Sequence, residues 1–156
     1  MARTPTRIGF SYWLARFISG LFTRIWIRRR VLHSDRVPET GGVILASNHV
    51  SYLDPFYMVC SVRRLVIALA RASAYKVPLV GTLLHSWGVI PVDQSGSGRG
   101  LKTFFTRLRA GDAVMMYPEG TRSHTGQIQA PQPGVGFIIL KSDAPVVPVK
   151  LFGSYE

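Results

Sequence analysis

The chain has 156 residues, a length that fits one domain built around a single hydrophobic core. Its net charge of +11, with 47% apolar and only 17% charged residues, predicts an anionic partner such as phospholipid headgroups, nucleic acid or a phosphorylated substrate. The single cysteine, Cys60, excludes an internal disulfide and any metal site made of several cysteines.

The first 36 residues combine a basic composition with a helical apolar pattern. Eight arginines stand against the lone Asp35, and apolar side chains recur from Phe10 to Trp26 at a spacing of three and one, which predicts a helix. Arg16 and Arg24 interrupt the pattern, so it fits poorly as a transmembrane span of about 20 uncharged residues. It favours an amphipathic helix in the membrane interface; packing on its own domain or on a partner is the alternative. We therefore expect a membrane-docking segment, 1–36, followed by one α/β domain, 37–156.

Within that domain, apolar runs of strand type alternate with runs of helix type. Strands are predicted at 42–47, 65–70, 89–92, 113–117 and 144–151, and helices at 54–62, 78–87, 101–110 and 133–143. The run at 133–143 is rich in β-formers, but the alternation favours a helix there. Pro91 indicates an edge or a short strand. The pattern predicts an α/β fold with a largely parallel sheet flanked by helices.

The turn from Asn48 to Pro55 carries the first candidate chemistry. It joins a strand to a helix that begins with Asp54 and Pro55, and open α/β folds place ligands at such strand ends. An imidazole and a carboxylate five positions apart can hydrogen-bond, so that Asp54 fixes the tautomer of His49 and makes it a better base. A histidine that caps the helix or satisfies a loop carbonyl is the alternative.

A second turn, Tyr117 to Ser123, also follows a strand and reads Tyr-Pro-Glu-Gly-Thr-Arg-Ser. One strand end holds a base, and the other holds an acid and an arginine. The two turns therefore suggest one crevice.

Four ordered blocks make the chain resemble the glycerolipid acyltransferase family, typified by 1-acyl-sn-glycerol-3-phosphate acyltransferase. The blocks are Asn48, His49 and Asp54; Gly88, Ile90, Val92 and Asp93; Glu119 to Ser123; and Val146 to Val149. The chain departs at Gln94, where the family often has arginine. Family members usually continue further after the fourth block, so we expect a fragment or a truncated chain.

The resemblance implies a membrane-associated O-acyltransferase of phospholipid biosynthesis. It would move a fatty acyl group from acyl-CoA or acyl-carrier protein to the free hydroxyl of 1-acyl-sn-glycerol 3-phosphate, with His49 as general base and Asp54 as its orienting acid. No cofactor beyond the thioester co-substrate and no metal is expected. The implied location is the cytoplasmic face of a membrane, as a peripheral or monotopic protein, and a two-helix N-terminal region is associated with docking in the related family.

The same resemblance assigns substrate-binding residues. Arg122 is the first candidate for gripping the acceptor phosphate, because a guanidinium is bidentate and permanently charged. Glu119 is expected to bind an acceptor hydroxyl or to orient Arg122, and Gly120 to allow a close backbone approach and present an N–H. Thr121 belongs to the same block. Asp93 is expected either to contact substrate or to serve as a turn residue.

Three alternatives remain open at this point. A catalytically silent lipid-binding module of the same fold is suggested by Gln94 and the early C-terminus. An acyltransferase acting on glycerol 3-phosphate or another lysolipid uses the same blocks. A nucleic-acid-binding protein is suggested by charge alone, and it is disfavoured because the arginines concentrate beside an aromatic helix and no recognition motif is present.

Overall fold

The computed structural model describes residues 9–92 and 98–155, so Asp93 and Gln94 lie outside the described residues. The strands are β1 (Val43–Ser47), β2 (Val66–Ile67), β3 (Leu69–Arg71), β4 (Ile90–Val92), β5 (Ala113–Met116) and β6 (Val146–Val149). The helices are α1 (Phe10–Ile25), α2 (Asp54–Ser61), α3 (Val80–Ser86), α4 (Arg99–Arg109) and α5 (Gly134–Ser142), with 3-10 turns at Ser34–Arg36 and Ala72–Lys76.

The main sheet has four strands in the order β2-β5-β1-β6, and every neighbouring pair runs parallel. A second sheet pairs β3 with β4, also in parallel. The predicted α/β fold with a largely parallel sheet and flanking helices is confirmed. The helix predicted at 133–143 is confirmed as α5, although its residues are rich in β-formers.

The core lies on both faces of the main sheet, because successive side chains of a strand point to opposite faces. On β1, Val43 and Leu45 pack with Met58 of α2, whereas Ile44 packs with Phe104 of α4. All four residues of β5 are buried, as expected for a strand covered on both sides. The two turns with candidate chemistry therefore start from the most deeply buried part of the molecule.

One strand was predicted wrongly. The run 65–70 was expected to form one strand, but β2 ends at Ile67 and belongs to the main sheet, whereas β3 begins at Leu69 and pairs with β4. The change of sheet occurs at Ala68, whose carbonyl accepts a hydrogen bond of 2.9 Å from the Ile90 amide. Pro91 of β4 lies opposite Ala70 of β3, and β3 is the one strand that pairs with β4 in the described part of the chain, which agrees with the edge strand that the proline indicated.

Helix α1 packs against the outer side of α2. The thiol of Cys60 donates to the Arg16 carbonyl over 3.3 Å, and the buried Tyr12 hydroxyl lies 3.3 Å from the carbonyl and the amide of Val66. Between residues 9 and 155, leaving out 93–97, no helix is both long and apolar enough to cross a membrane.

Candidate active site

The two turns with candidate chemistry meet at one edge of the main sheet. Strands β1 and β5 are parallel neighbours, with Ala46 opposite Met116, so their carboxyl ends lie side by side. The main chain of His49 is held by two residues of the second turn, Glu119 and Ser123. Its N–H donates to Glu119 Oε1 over 3.1 Å, and its carbonyl accepts from the Ser123 amide over 2.7 Å.

His49 and Asp54 form a hydrogen-bonded pair. Nδ1 of His49 lies 2.8 Å from Oδ2 of Asp54, and the carboxylate is fully buried while the imidazole is 17% exposed. Because Asp54 holds Nδ1, the other ring nitrogen, Nε2, is the atom left for a ligand; it has no hydrogen-bond partner among residues 9–92 and 98–155. This is the arrangement in which a histidine accepts a proton from a substrate while a carboxylate stabilises the imidazolium.

The same oxygen of Asp54 also shapes the turn. Oδ2 accepts the Val50 amide over 2.7 Å and the Ser51 amide over 2.8 Å. Burial alone would raise the pKa of this carboxyl, but the hydrogen bonds from His49, Ser51 and Val50 outweigh burial and hold the pKa below the ordinary value of 3.8. Asp54 is therefore a carboxylate at neutral pH.

Two residues of the site were missed as functional from the sequence. Tyr117 stacks on the His49 imidazole, with ring centroids 3.9 Å apart and an angle of 14° between the planes. Burial, and then the charge of Asp54, raise the pKa of the Tyr117 phenol, so this ring stays neutral. Its position directly after the strand, in the same turn as Glu119, was the available signal.

Asn48 is the second missed residue. It is buried, and its side-chain amide pairs with the main chain of Leu151: Oδ1 accepts the Leu151 N–H over 2.7 Å, and Nδ2 donates to the Leu151 carbonyl over 3.1 Å. This pair ties the His49 turn to the chain that follows β6. Leu151 is 103 residues away in sequence, so the contact itself was not predictable. The one available signal was that Asn48 is a polar residue directly after a strand.

The remaining residues of the second turn differ in what they offer. Glu119 is 2% exposed, and its Oε2 has no hydrogen-bond partner in the part of the chain that the structure describes. Gly120 was expected to present an N–H, but this N–H donates to the Tyr117 carbonyl over 3.0 Å and closes the turn. With φ at +71°, Gly120 has a backbone conformation that side chains rarely adopt. Thr121 is exposed beside it.

Arg122 reaches across to the first turn. Its Cζ lies 3.4 Å from the centroid of the Tyr52 ring. Asp93, the fifth expected substrate residue, lies outside the described residues. Within 9–92 and 98–155, no group of three or more His, Cys, Asp or Glu side chains could hold a metal ion; the expected independence from metals stays a prediction.

With this geometry established, the comparisons decide the family. Residues 28–151 match the sequence model of the Acyltransferase family. The chain belongs to that family. All of the described site residues of this Acyltransferase chain, from Asn48 to Leu151, lie within the matched range.

Several relatives are named 1-acyl-sn-glycerol-3-phosphate acyltransferases. The chain is 31% identical to one from Pseudomonas aeruginosa over 144 residues, which are 90% of this chain and 53% of that protein. It is 27% identical to one from Borreliella burgdorferi over 128 residues, 80% of this chain and 51% of the relative. It is 25% identical to a chloroplastic one from Arabidopsis thaliana over 154 residues, which are 96% of this chain and 43% of that protein. The chain thus spans about half the length of these relatives.

A solved structure has the same fold. The crystal structure of the 1-acyl-sn-glycerophosphate (LPA) acyltransferase PlsC from Thermotoga maritima aligns with a TM-score of 0.75. The alignment covers 93% of this chain and 60% of that one at 24% sequence identity. The likeness establishes the fold of this Acyltransferase chain.

Proposed function

We propose that this chain carries the catalytic core of an O-acyltransferase that acylates the free hydroxyl of 1-acyl-sn-glycerol 3-phosphate. The observation that carries the proposal is the His49–Asp54 pair, with Nδ1 held at 2.8 Å and Nε2 left for a substrate hydroxyl. The names of the relatives supply the substrate, and the family membership supports the reaction class.

In the proposed reaction, Nε2 of His49 takes the proton of the acceptor hydroxyl while the hydroxyl oxygen attacks the carbonyl of an acyl thioester. The bond between that carbonyl and sulfur then breaks, and the thiolate leaves with the proton from the imidazolium. Asp54 stabilises the imidazolium between these two steps. The donor is acyl-CoA or acyl-carrier protein, and the protein needs neither a covalent intermediate nor a further cofactor.

Two further features support the substrate assignment. Arg122 would bind the acceptor phosphate, since it makes no ion pair with any described carboxylate. An apolar cavity of about 160 Å³ extends between α1, α2, α3 and β3, and its lining includes Pro55 and Phe56, which follow Asp54 in the chain. We assign this cavity to the acyl chain of the donor.

We also propose that α1 docks on the cytoplasmic face of a membrane. Its outer surface and the capping residue after it carry large apolar side chains, among them Phe17 at 68% and Trp26 at 76% exposure. Exposed arginines, Arg24, Arg28 and Arg30, lie at and beyond its C-terminal end, where they could meet phospholipid headgroups. A lipid acceptor with one acyl chain would reach His49 from that surface.

The proposal is tested by acyl transfer with the full chain and its His49→Ala variant. Labelled acyl-CoA and acyl-carrier protein are each offered with 1-acyl-sn-glycerol 3-phosphate, glycerol 3-phosphate or lysophosphatidylcholine. We expect transfer to the first acceptor, and a loss of about 10²–10⁴-fold in the variant because the base is gone. His85→Ala, which changes an exposed histidine of α3, is the matched control and should keep the wild-type rate.

Each other result has a definite meaning. Binding of the lipid without transfer from either donor would indicate a silent lipid-binding module. Faster transfer to glycerol 3-phosphate would overturn the acceptor, and full activity of the His49→Ala variant would overturn the base.

A further inference from the structure

The guanidinium of Arg122 has an unusual setting for a charged group at the mouth of a site. It lies over the ring of Tyr52 at 3.4 Å, and it makes no hydrogen bond or ion pair with any residue in 9–92 or 98–155. Its charge is therefore not neutralised by a described carboxylate, and its N–H groups are not engaged by described acceptors. A cation over an aromatic face is attracted by the ring while the N–H edge stays available.

Apart from its contact with Arg122, the Tyr52 side chain contributes little to the stability of the fold. Its side chain is 75% exposed, so it adds little to the core, and its hydroxyl has no hydrogen-bond partner in the described part of the chain. The turn around it is nonetheless fixed. Oδ2 of Asp54 accepts the Ser51 amide, and Ser51 Oγ accepts the Leu53 amide over 3.2 Å. A rigid turn thus presents an aromatic face three residues after His49.

We propose that Tyr52 is a positioning residue that holds Arg122 over its ring, so that the guanidinium N–H groups meet the phosphate of the acceptor. An unsupported arginine loses much of its rotamer freedom when it is fixed on a ligand. An arginine already held on a ring loses less, and the difference appears as affinity for the phosphate. This inference rests on the proposed function, since it assigns the acceptor phosphate to Arg122.

The arrangement also defines which acceptors are favoured. The ring and the guanidinium together form a cationic platform with no described counter-charge, which suits a phosphate monoester and gives nothing to a neutral glyceride. The turn that orients the base also carries the ring on which Arg122 of the second turn rests. The first turn would therefore position the base for the hydroxyl and support the arginine for the phosphate of the same acceptor.

The test compares the full chain with Tyr52→Leu and Tyr52→Phe in acyl transfer to 1-acyl-sn-glycerol 3-phosphate. Leucine removes the aromatic face, so we expect the acceptor KM to rise about two- to tenfold with kcat changed less than about twofold. Phenylalanine keeps the face and should restore a near-wild-type KM. Phe137→Leu is the matched control, because it removes an exposed ring beneath Lys141 on α5, which belongs to neither site turn; its KM should not change.

A double-mutant cycle with Arg122→Ala shows whether Tyr52 acts through Arg122. Adding Tyr52→Leu to Arg122→Ala should raise KM no further. An unchanged KM in Tyr52→Leu, a loss confined to kcat, or additive effects in the cycle would each overturn the inference while leaving the reaction intact. Absence of transfer by the wild-type chain would instead overturn the proposed function itself.

Discussion

At the scale of single residues, one carboxylate oxygen holds the His49 turn together. Oδ2 of Asp54 accepts hydrogen bonds from Nδ1 of His49 and from the amides of Val50 and Ser51, all at 2.7–2.8 Å. These bonds depress the pKa of Asp54 below 3.8 in the folded protein. A group whose pKa is lower in the folded than in the unfolded protein stabilises the fold at any pH above its unfolded-state pKa. This stability is lost as pH falls through the folded-state pKa.

Asp54→Asn should therefore destabilise the protein in a pH-dependent way. We expect a loss of about 1.5–3 kcal/mol in the free energy of unfolding at pH 7, the size of a hydrogen bond to a charged group. The difference in unfolding free energy between wild type and variant should narrow as pH falls below 3.8, because the wild-type carboxylate is then neutralised by protonation. Urea unfolding at several pH values measures this difference, with the exposed Asp35→Asn as control. A difference that stays constant down to acid pH would contradict this linkage.

The spacing of His49 and Asp54 made their contact predictable as one of two alternatives, because residues five apart across a strand–helix turn can come within hydrogen-bonding reach. The contacts of Asn48 and Tyr117 were not predictable in that way. Asn48 has its partner at Leu151, which follows β6, and Tyr117 meets His49 because β5 lies beside β1. Both contacts depend on the order of strands in the sheet, which the sequence does not show.

At the scale of elements, the site depends on two loops that follow adjacent parallel strands. Strand–helix alternation predicted both loops and the parallel sheet, and the reactive side chains at two strand ends suggested that the loops share a crevice. The alternation could not show that the run 65–70 divides between two sheets, because the run is apolar throughout. The carbonyl of Ala68, where the division occurs, accepts its hydrogen bond from the amide of Ile90, which is distant in sequence.

The two loops are joined by the Ser123 amide on the His49 carbonyl and by Glu119, whose Oε1 accepts the His49 amide over 3.1 Å. Glu119→Ala leaves that N–H without its acceptor, at a cost of about 1–3 kcal/mol, and should lower kcat by displacing His49. Glu119→Gln retains an acceptor oxygen and should keep more of both stability and kcat. Thermal unfolding measures the stability of the two variants, and steady-state kinetics with varied acceptor measures their kcat and KM.

Those kinetics also separate two roles of Glu119. The buried Oε2 is free of described partners and remains available for an acceptor hydroxyl, as the sequence suggested. If that contact dominates, both variants should raise the acceptor KM with kcat little changed, and positioning of His49 would be secondary.

At the scale of the whole molecule, the distribution of charge and apolar surface relates the site to a membrane. Arg16 was expected to interrupt the apolar surface of α1, but its guanidinium turns inward and donates to the carbonyls of Val62 and Arg64. The sequence could not show this, because both acceptors are more than 40 residues away. The outer surface of α1 is left more continuously apolar than the sequence predicted.

The docking proposal predicts that the exposed side chains of α1, and not its buried ones, carry membrane binding. In the full chain, Phe17→Glu with Trp26→Glu keeps Tyr12 and Arg16, which hold the helix on the domain, and replaces residues that are 68% and 76% exposed. Burying such a side chain is worth about 1.5–3 kcal/mol, so binding to vesicles rich in anionic phospholipid should fall at least about tenfold for each residue.

Sedimentation with those vesicles measures the bound fraction, and Phe137→Glu with Leu140→Glu provides the matched control. That pair adds the same charge at apolar positions of α5 that are 57% and 82% exposed, so it reproduces the electrostatic change without altering α1. We expect the control to bind almost as the wild type does, because the arginines beside α1 are unchanged. Equal losses in the two double variants would mean that net charge alone attracts the protein to the vesicle, and that α1 does not insert its aromatic side chains.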